Sequence, residues 1–123
     1  MLALSSTERL VLLAVVVETG YGAGAARSSR IYARYVELSG LAGVEPVTRR
    51  RVRDVIRGLA EMGILQARVC SLGKHGRTMV VRLLAPPDAL CRELSEDLLV
   101  GWVAEEACGG HARLQVPAST QPL

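Results

Sequence analysis

A mostly helical α+β fold is what this sequence predicts, and three observations carry the prediction. A capping box, Ser5-Ser6-Thr7-Glu8, stands directly before an apolar run. A stretch of helical period, "TRRRVRDVIRGLAEMG", closes on Gly63. Beyond it, two β-rich runs, "ILQARVCSL" and "TMVVRLL", flank Gly73-Lys74-His75-Gly76-Arg77, a loop of hairpin length and composition.

The first element is the most ambiguous. In "RLVLLAVVVETGYGAGAAR" the triplet Val15-Val16-Val17 favours a strand, because β-branched side chains lose rotamer freedom in a helix. The capping box favours a helix over 6–18. Leu10, Leu13, Ala14 and Val17 would then face the core at helical spacing. Gly20, Gly22 and Ala25 partly match a dinucleotide-binding glycine loop. That fold needs further parallel strands, whereas the only other β-runs here form an antiparallel hairpin. A core helix followed by a loop over 20–28 is therefore expected.

A second helix is predicted from Ser29 to about Leu38, with Ile31, Tyr35 and Leu38 on one face. Thr48 caps a third, 49–62, whose Val52, Val55, Ile56 and Leu59 share one arc. Pro86-Pro87 ends the hairpin. A fourth helix over 88–107 carries Leu90, Leu94, Leu98 and Trp102, together with most of the acids of this part of the chain. The order is that of a winged helix-turn-helix: a three-helix core, a two-stranded wing and an added C-terminal helix. The expected organisation is a winged-helix domain over 1–85, an acidic helix packed on or beside it over 86–108, and a disordered tail over 109–123.

At 123 residues the chain is one domain, half of it apolar and with no Phe. Its charge is uneven. Residues 1–85 hold thirteen Arg or Lys against six Asp or Glu, and residues 86–123 hold two against six. A basic body of this kind suits a polyanion. The three cysteines, Cys70, Cys91 and Cys108, show no CxxC spacing, so neither a zinc site nor a disulfide framework is indicated. A reducing intracellular setting, cytoplasmic and nucleoid-associated, is the expectation. The apolar run 10–17 is too short to cross a bilayer, so no membrane partner is expected.

In a helix-turn-helix the second helix of the motif enters the major groove. Here that is the third helix of the chain. Arg50, Arg53, Asp54 and Arg57 lie opposite its apolar arc, with Arg49 and Arg51 on the flanks. Such an arc is costly unless an anion neutralises it. The hairpin repeats the sign with Arg68, Lys74, Arg77 and Arg82, and a tip of Lys74-His75-Gly76-Arg77 suits a minor groove. No nucleophile and base set or carboxylate pair can be assembled. His75 and His111 stand outside any motif, and Glu93, Glu96 and Asp97 lack ligand spacing. No enzyme activity, cofactor or metal is expected.

These residues resemble a family. The opening "LSSTERLVLL", the "IY-x-x-Y" of the second helix, the "T-x-R-R-V-x-D-x-I-x-x-L-x-x-x-G-I" of the third and the "G-x-x-G-R-T" of the wing occur in this order over about 80 residues. Together they resemble the C-terminal winged-helix domain of archaeal origin-recognition initiators of the Orc/Cdc type. The resemblance implies duplex DNA binding at replication origins. Arg49, Arg50 and Arg53 would be the helix contacts, and Lys74, Gly76 and Arg77 the wing contacts. The helical wheel adds Arg57 and, more weakly, Arg51. The family's preceding ATPase module has no counterpart in these residues, so no ATP chemistry is expected. Double-stranded DNA is the partner expected first, followed by the initiator's own ATPase module or other replication proteins. The alternatives are a stand-alone winged-helix transcription regulator, which would be a homodimer, and a winged helix that docks an acidic protein.

Overall fold

The computed structural model describes residues 3–71, 73 and 76–115. Helix α1, Ser6–Glu18, starts as its capping box dictates: the Ser5 amide donates to Glu8 Oε1 (2.8 Å) and the Glu8 amide to Ser5 Oγ (3.1 Å). The expected one-sided burial of Leu10, Leu13, Ala14 and Val17 is replaced by something broader. Every residue from Leu10 to Val16 is buried, and Val17 is only half-buried. α1 is the central post of the fold, with the other elements on all its sides, and a helix that is apolar all round belongs there. This is why a run that looked like a strand is a helix.

The glycine-rich segment is a tight reversal rather than an open loop. Gly20, Tyr21 and Gly22 take φ of 63°, 58° and 86° in succession. The Tyr21 hydroxyl donates to the Ala107 carbonyl (2.8 Å), a tertiary tie beside its left-handed backbone. Burial raises the pKa of its phenol above the ordinary tyrosine value, an effect the Arg34 charge partly offsets.

The chain then forms a short strand, β1 (Ala25–Arg27), where a loop was expected. Three residues, two of them alanine, carry little strand propensity; pairing with a distant strand makes them one. Helix α2, Ser28–Ala42, follows at once and ends on left-handed Gly43. It outruns its expected end at Leu38 because Gly40 sits inside it, while Ile31, Tyr35 and Leu38 are buried as the spacing predicts.

Helix α3, Arg49–Glu61, has Thr48 Oγ1 accepting from the Arg51 amide (3.2 Å) and buries Val52, Val55, Ile56 and Leu59. The hairpin is β2 (Leu65–Ser71) and β3 (Arg77–Leu83), in register from Leu65 opposite Leu83 to Ser71 opposite Arg77. β1 lies antiparallel on the other edge of β3, giving a three-stranded sheet of order β1-β3-β2 in place of two strands. Ala26, Leu65, Met79, Val81 and Leu83 of this sheet are buried in the core.

The single helix expected over 88–107 is two: α4, Pro87–Ser95, and α5, Gly101–Gln115. Asp97 makes the break. Its carboxylate accepts from the amides of Leu99 (3.0 Å) and Val100 (2.8 Å) and pairs with Arg9 of α1 (3.2 Å). Gly101 permits the return, since a Cβ there would stand 2.5 Å from the Ser95 carbonyl oxygen. Leu90, Leu94, Val100, Val103 and Ala104 complete the core around α1. Leu98 is fully exposed and Trp102 half exposed, whereas Leu90 and Leu94 are buried.

The reversal also brings Cys91 and Cys108 together in a disulfide, with Cα atoms 6.0 Å apart, which the cysteine spacing did not indicate. Along one unbroken helix they would be ~25 Å apart, so the missed break hid the bond. α5 continues to Gln115, so 109–115 is helix where a tail was expected; 116–123 lies outside the described residues.

Candidate nucleic-acid interface

The position of α3 is set by two tyrosines of α2. The Tyr32 hydroxyl donates to the Val47 carbonyl (3.0 Å), and the Val47 amide donates to the Tyr35 hydroxyl (2.9 Å). Both hydrogen-bonding groups of one peptide-flanked residue are thereby held two residues before the first residue of α3. The repeated tyrosine of the second helix is a structural device, and its work is to aim the third.

On α3 itself the apolar arc is buried and the opposite arc is open: Arg49, Arg50, Arg51, Arg53 and Arg57 are all exposed. They differ in company. Arg57 pairs with Asp54 (3.5 Å), an exposed contact worth little in water. The Arg49 guanidinium lies 5.0 Å from the centroid of the Tyr32 ring, a cation–π arrangement. Arg50, Arg51 and Arg53 have no ion pair among the described residues. Elsewhere acids absorb the cations: Glu18 takes Arg34 (2.8 Å) and Arg30 (3.5 Å), and Asp97 takes Arg9. The hydrogen bond that Arg34 donates to Glu18 raises the pKa of Arg34 above its ordinary value.

The wing turns on glycine. Gly73 and Gly76 both have positive φ, 65° and 88°, and the Gly76 amide donates to the Gly73 carbonyl (3.1 Å). Lys74 and His75 lie outside the described residues. Arg77 opens β3, and with Arg53 and Arg57 it borders a groove of about 220 Å³ between α3 and the hairpin, floored in part by Val69 and Met79. The structure therefore brings Arg53, Arg57 and Arg77 around one groove and leaves Arg50 and Arg51 projecting beside it.

Two hairpin arginines take a different direction. Arg68 and Arg82 border a shallow hollow with Gln66, Cys70 and Val80 on the outward sheet face, opposite the face that carries Met79 and Val81. Strand alternation separates them from Arg77's groove, although the sequence groups all three. Arg27 was missed: it reads as a loop residue, whereas pairing of β1 with β3 sets it opposite Val80, at the end of β1, where it borders one cavity with Arg49 and Arg77. The double serine after it, Ser28-Ser29, was the available signal of a helix start at that point.

Sheet, helix order and the open arginine arc define a winged helix-turn-helix domain. Comparison with known proteins makes the class specific. The chain belongs to the family described as the CDC6 C-terminal winged helix domain, whose model matches residues 1–93. The ORC1-type DNA replication protein 1 of Aeropyrum pernix is 41% identical over 92 residues, covering 75% of this chain and 23% of the relative. That of Sulfurisphaera tokodaii is 36% identical over 88 residues, 72% of this chain and 22% of the relative. The chain thus spans about a quarter or less of these relatives. The Aeropyrum pernix Orc1 protein, solved in complex with DNA, superposes with a TM-score of 0.75 at 39% identity, over 81% of this chain and 26% of that one. Cdc6p of Pyrobaculum aerophilum shares the fold, with a TM-score of 0.59 at 18% identity. No helix among the described residues is long and apolar enough to cross a membrane.

Proposed function

We propose that this domain binds duplex DNA at replication origins, as the DNA-binding part of an initiator, with α3 in the major groove and the wing, 73–78, in the minor groove. The observation that carries this reading is the open arginine arc of α3, continuous through Arg53 with Arg77 of the wing and lacking acid partners at Arg50, Arg51 and Arg53. The Orc1 relative solved with DNA supports it.

The contacts divide by role. Arg50 and Arg53, projecting from the outward arc, would read base edges, each bidentate guanine contact discriminating by about 1–3 kcal/mol. Arg49, Arg51, Arg57 and Arg77 would hold phosphates, with Lys74, His75 and Gly76 completing the wing tip. Fluorescence anisotropy with origin-derived and random duplexes, from low to physiological salt, tests the reading. A steep salt dependence with a retained advantage for the origin duplex is expected. Absence of binding to any duplex at low salt would sink it and favour an acidic protein partner. The homodimer of the regulator alternative would need a surface such as Leu98, Leu99 and Trp102. A monomeric mass in solution with DNA binding intact removes that alternative.

A further inference from the structure

Beside α3, and sharing Arg49, Arg53 and Arg77 with the interface described above, the molecule has a cavity that Arg27 and the start of α2 also border. This cavity, of about 180 Å³, opens where the end of β1, the start of α2, the first turns of α3 and the start of β3 meet. Arg27, Arg49, Arg53 and Arg77 border it from three different elements, together with Ser28 and Ser29. Among the described residues none of the four arginines is in an ion pair.

The start of α2 adds to this charge. Its N-cap is Arg27, which makes no side-chain cap, and its first turn holds no acid. No acid borders the cavity at the positive end of this helix dipole, and Glu18, near the same helix start, is paired with Arg30 and Arg34. Ser28 supplies an independent observation. The residue is only 8% exposed and borders the cavity, and its hydroxyl has no hydrogen-bond partner among the described residues. With no such partner and open to solvent, this hydroxyl is free to donate to a ligand in the cavity. The ring of Tyr32, 5.0 Å from the Arg49 guanidinium, holds one of the forks over the site.

Four arginines, an uncapped helix start and an unpartnered hydroxyl border one small space, and each supplies a donor or a positive charge. Such a set suits the tetrahedral oxygens of a phosphate group. The volume sets how much of a ligand enters. It equals roughly six waters and falls below the ~300 Å³ at which sites for whole small molecules begin, so it has room for a single phosphate, with the rest of the ligand lying outside. Arg53 and Arg77 also border the groove between α3 and the wing, which places the cavity on the proposed DNA face.

We propose that this cavity is a seat for one backbone phosphate of the bound duplex, with Arg27 and Ser28 as contacts that fix the register of α3 on the DNA. The inference rests on the duplex-binding reading. It names a contact that carries affinity and orientation but no sequence information.

The test uses the full chain and Arg27→Gln, an exposed position whose change leaves the core untouched. In one arm, inorganic phosphate is titrated while the backbone amides of Ser28 and Ser29 are followed by NMR. Saturable shifts are expected in the wild type and their loss in R27Q. In the other arm, origin-derived and random duplexes are titrated from about 50 to about 200 mM salt. R27Q should weaken both duplexes by the same factor and flatten the log–log salt slope by about 0.9, so that its deficit narrows roughly threefold across that range. Discrimination between the duplexes should not change.

If the wild type binds no duplex but phosphate shifts both amides, the seat stands and the duplex reading fails. Phosphate binding combined with an unaltered R27Q salt slope would overturn the assignment to a DNA phosphate and leave a site for the free anion. With neither amide shifts nor a slope change, the seat itself is overturned. Ser28→Ala, which removes the hydroxyl and no charge, should weaken both duplexes without altering the slope.

Discussion

α1 and α3 are the same length, and each is capped at its N-terminus by a side-chain hydroxyl, yet they have opposite surroundings. Between Arg9 and Glu18, α1 carries no charge, and seven consecutive residues are buried. α3 buries four residues and exposes five arginines against one aspartate on its outer arc. In α1 every side chain from Leu10 to Val16 is explained by packing, and Glu8, Arg9 and Glu18 by a cap or an ion pair. For α3 packing explains one arc only. The other is an electrostatic cost that folding does not offset, and that remainder is where function is to be sought.

The comparison breaks most visibly if the exposed arc is removed. Replacing Arg50 and Arg53 together with alanine should cost roughly 2–6 kcal/mol of binding to the origin-derived duplex, measured by anisotropy, with the melting temperature unchanged. A melting temperature that fell with the affinity would mean that the arc serves the fold.

The reverse experiment sits in α1. Leu12→Ala, at a fully buried position, should destabilise by about 2–5 kcal/mol in denaturant unfolding, while the folded fraction binds DNA as before.

Tyr35→Phe sharpens the distinction by crossing it. Tyr35 is fully buried, so it belongs to the core, but its hydroxyl accepts the Val47 amide that leads into α3. A loss of about 1–3 kcal/mol in stability is expected, accompanied by weaker DNA binding although no DNA contact has been touched. Binding that stayed at the wild-type level would show that the linker holds α3 without this bond.

The smallest effect tests whether the two helices are equivalent where they should be. Thr48→Ala removes the α3 cap and should cost about 1 kcal/mol in thermal or denaturant unfolding. No loss would mean that the arginines of the first turn find another way to satisfy its amides.

What could be read ahead of the structure follows the range of the interactions involved. Ser5, Glu8, Thr48 and Gly63 act on neighbours a few residues away, so both ends of α1 and α3 were legible to within a residue. The hairpin was legible for the same reason, from the composition of its loop. β1 was not, because Ala25–Arg27 is a strand only by virtue of Val80 to Arg82, more than fifty residues on. The break between α4 and α5 depends on Asp97, whose carboxylate reads in sequence as one more acid on an acidic helix. The Cys91–Cys108 bond follows from that break and was lost with it. At the site the wheel separated the arginines of α3 from its core face, as the structure does. Arg27 stayed hidden because its place is a property of strand pairing, and Arg68 and Arg82 were grouped with Arg77 because composition does not record which face of a sheet a residue takes.

The two hydrogen bonds at Val47 have a consequence beyond stability. Because both the carbonyl and the amide of this residue are tied to α2, the helix that presents the arginines is already immobilised in the free protein. A partner meeting α3 therefore encounters a rigid template, and the entropy of orienting it is spent during folding rather than on contact. Presenting α3 then requires no ordering step. The speed of association is governed by the diffusion and rotation of the whole domain within the partner's electric field, and it should respond to ionic strength far more than to viscosity-coupled loop motion.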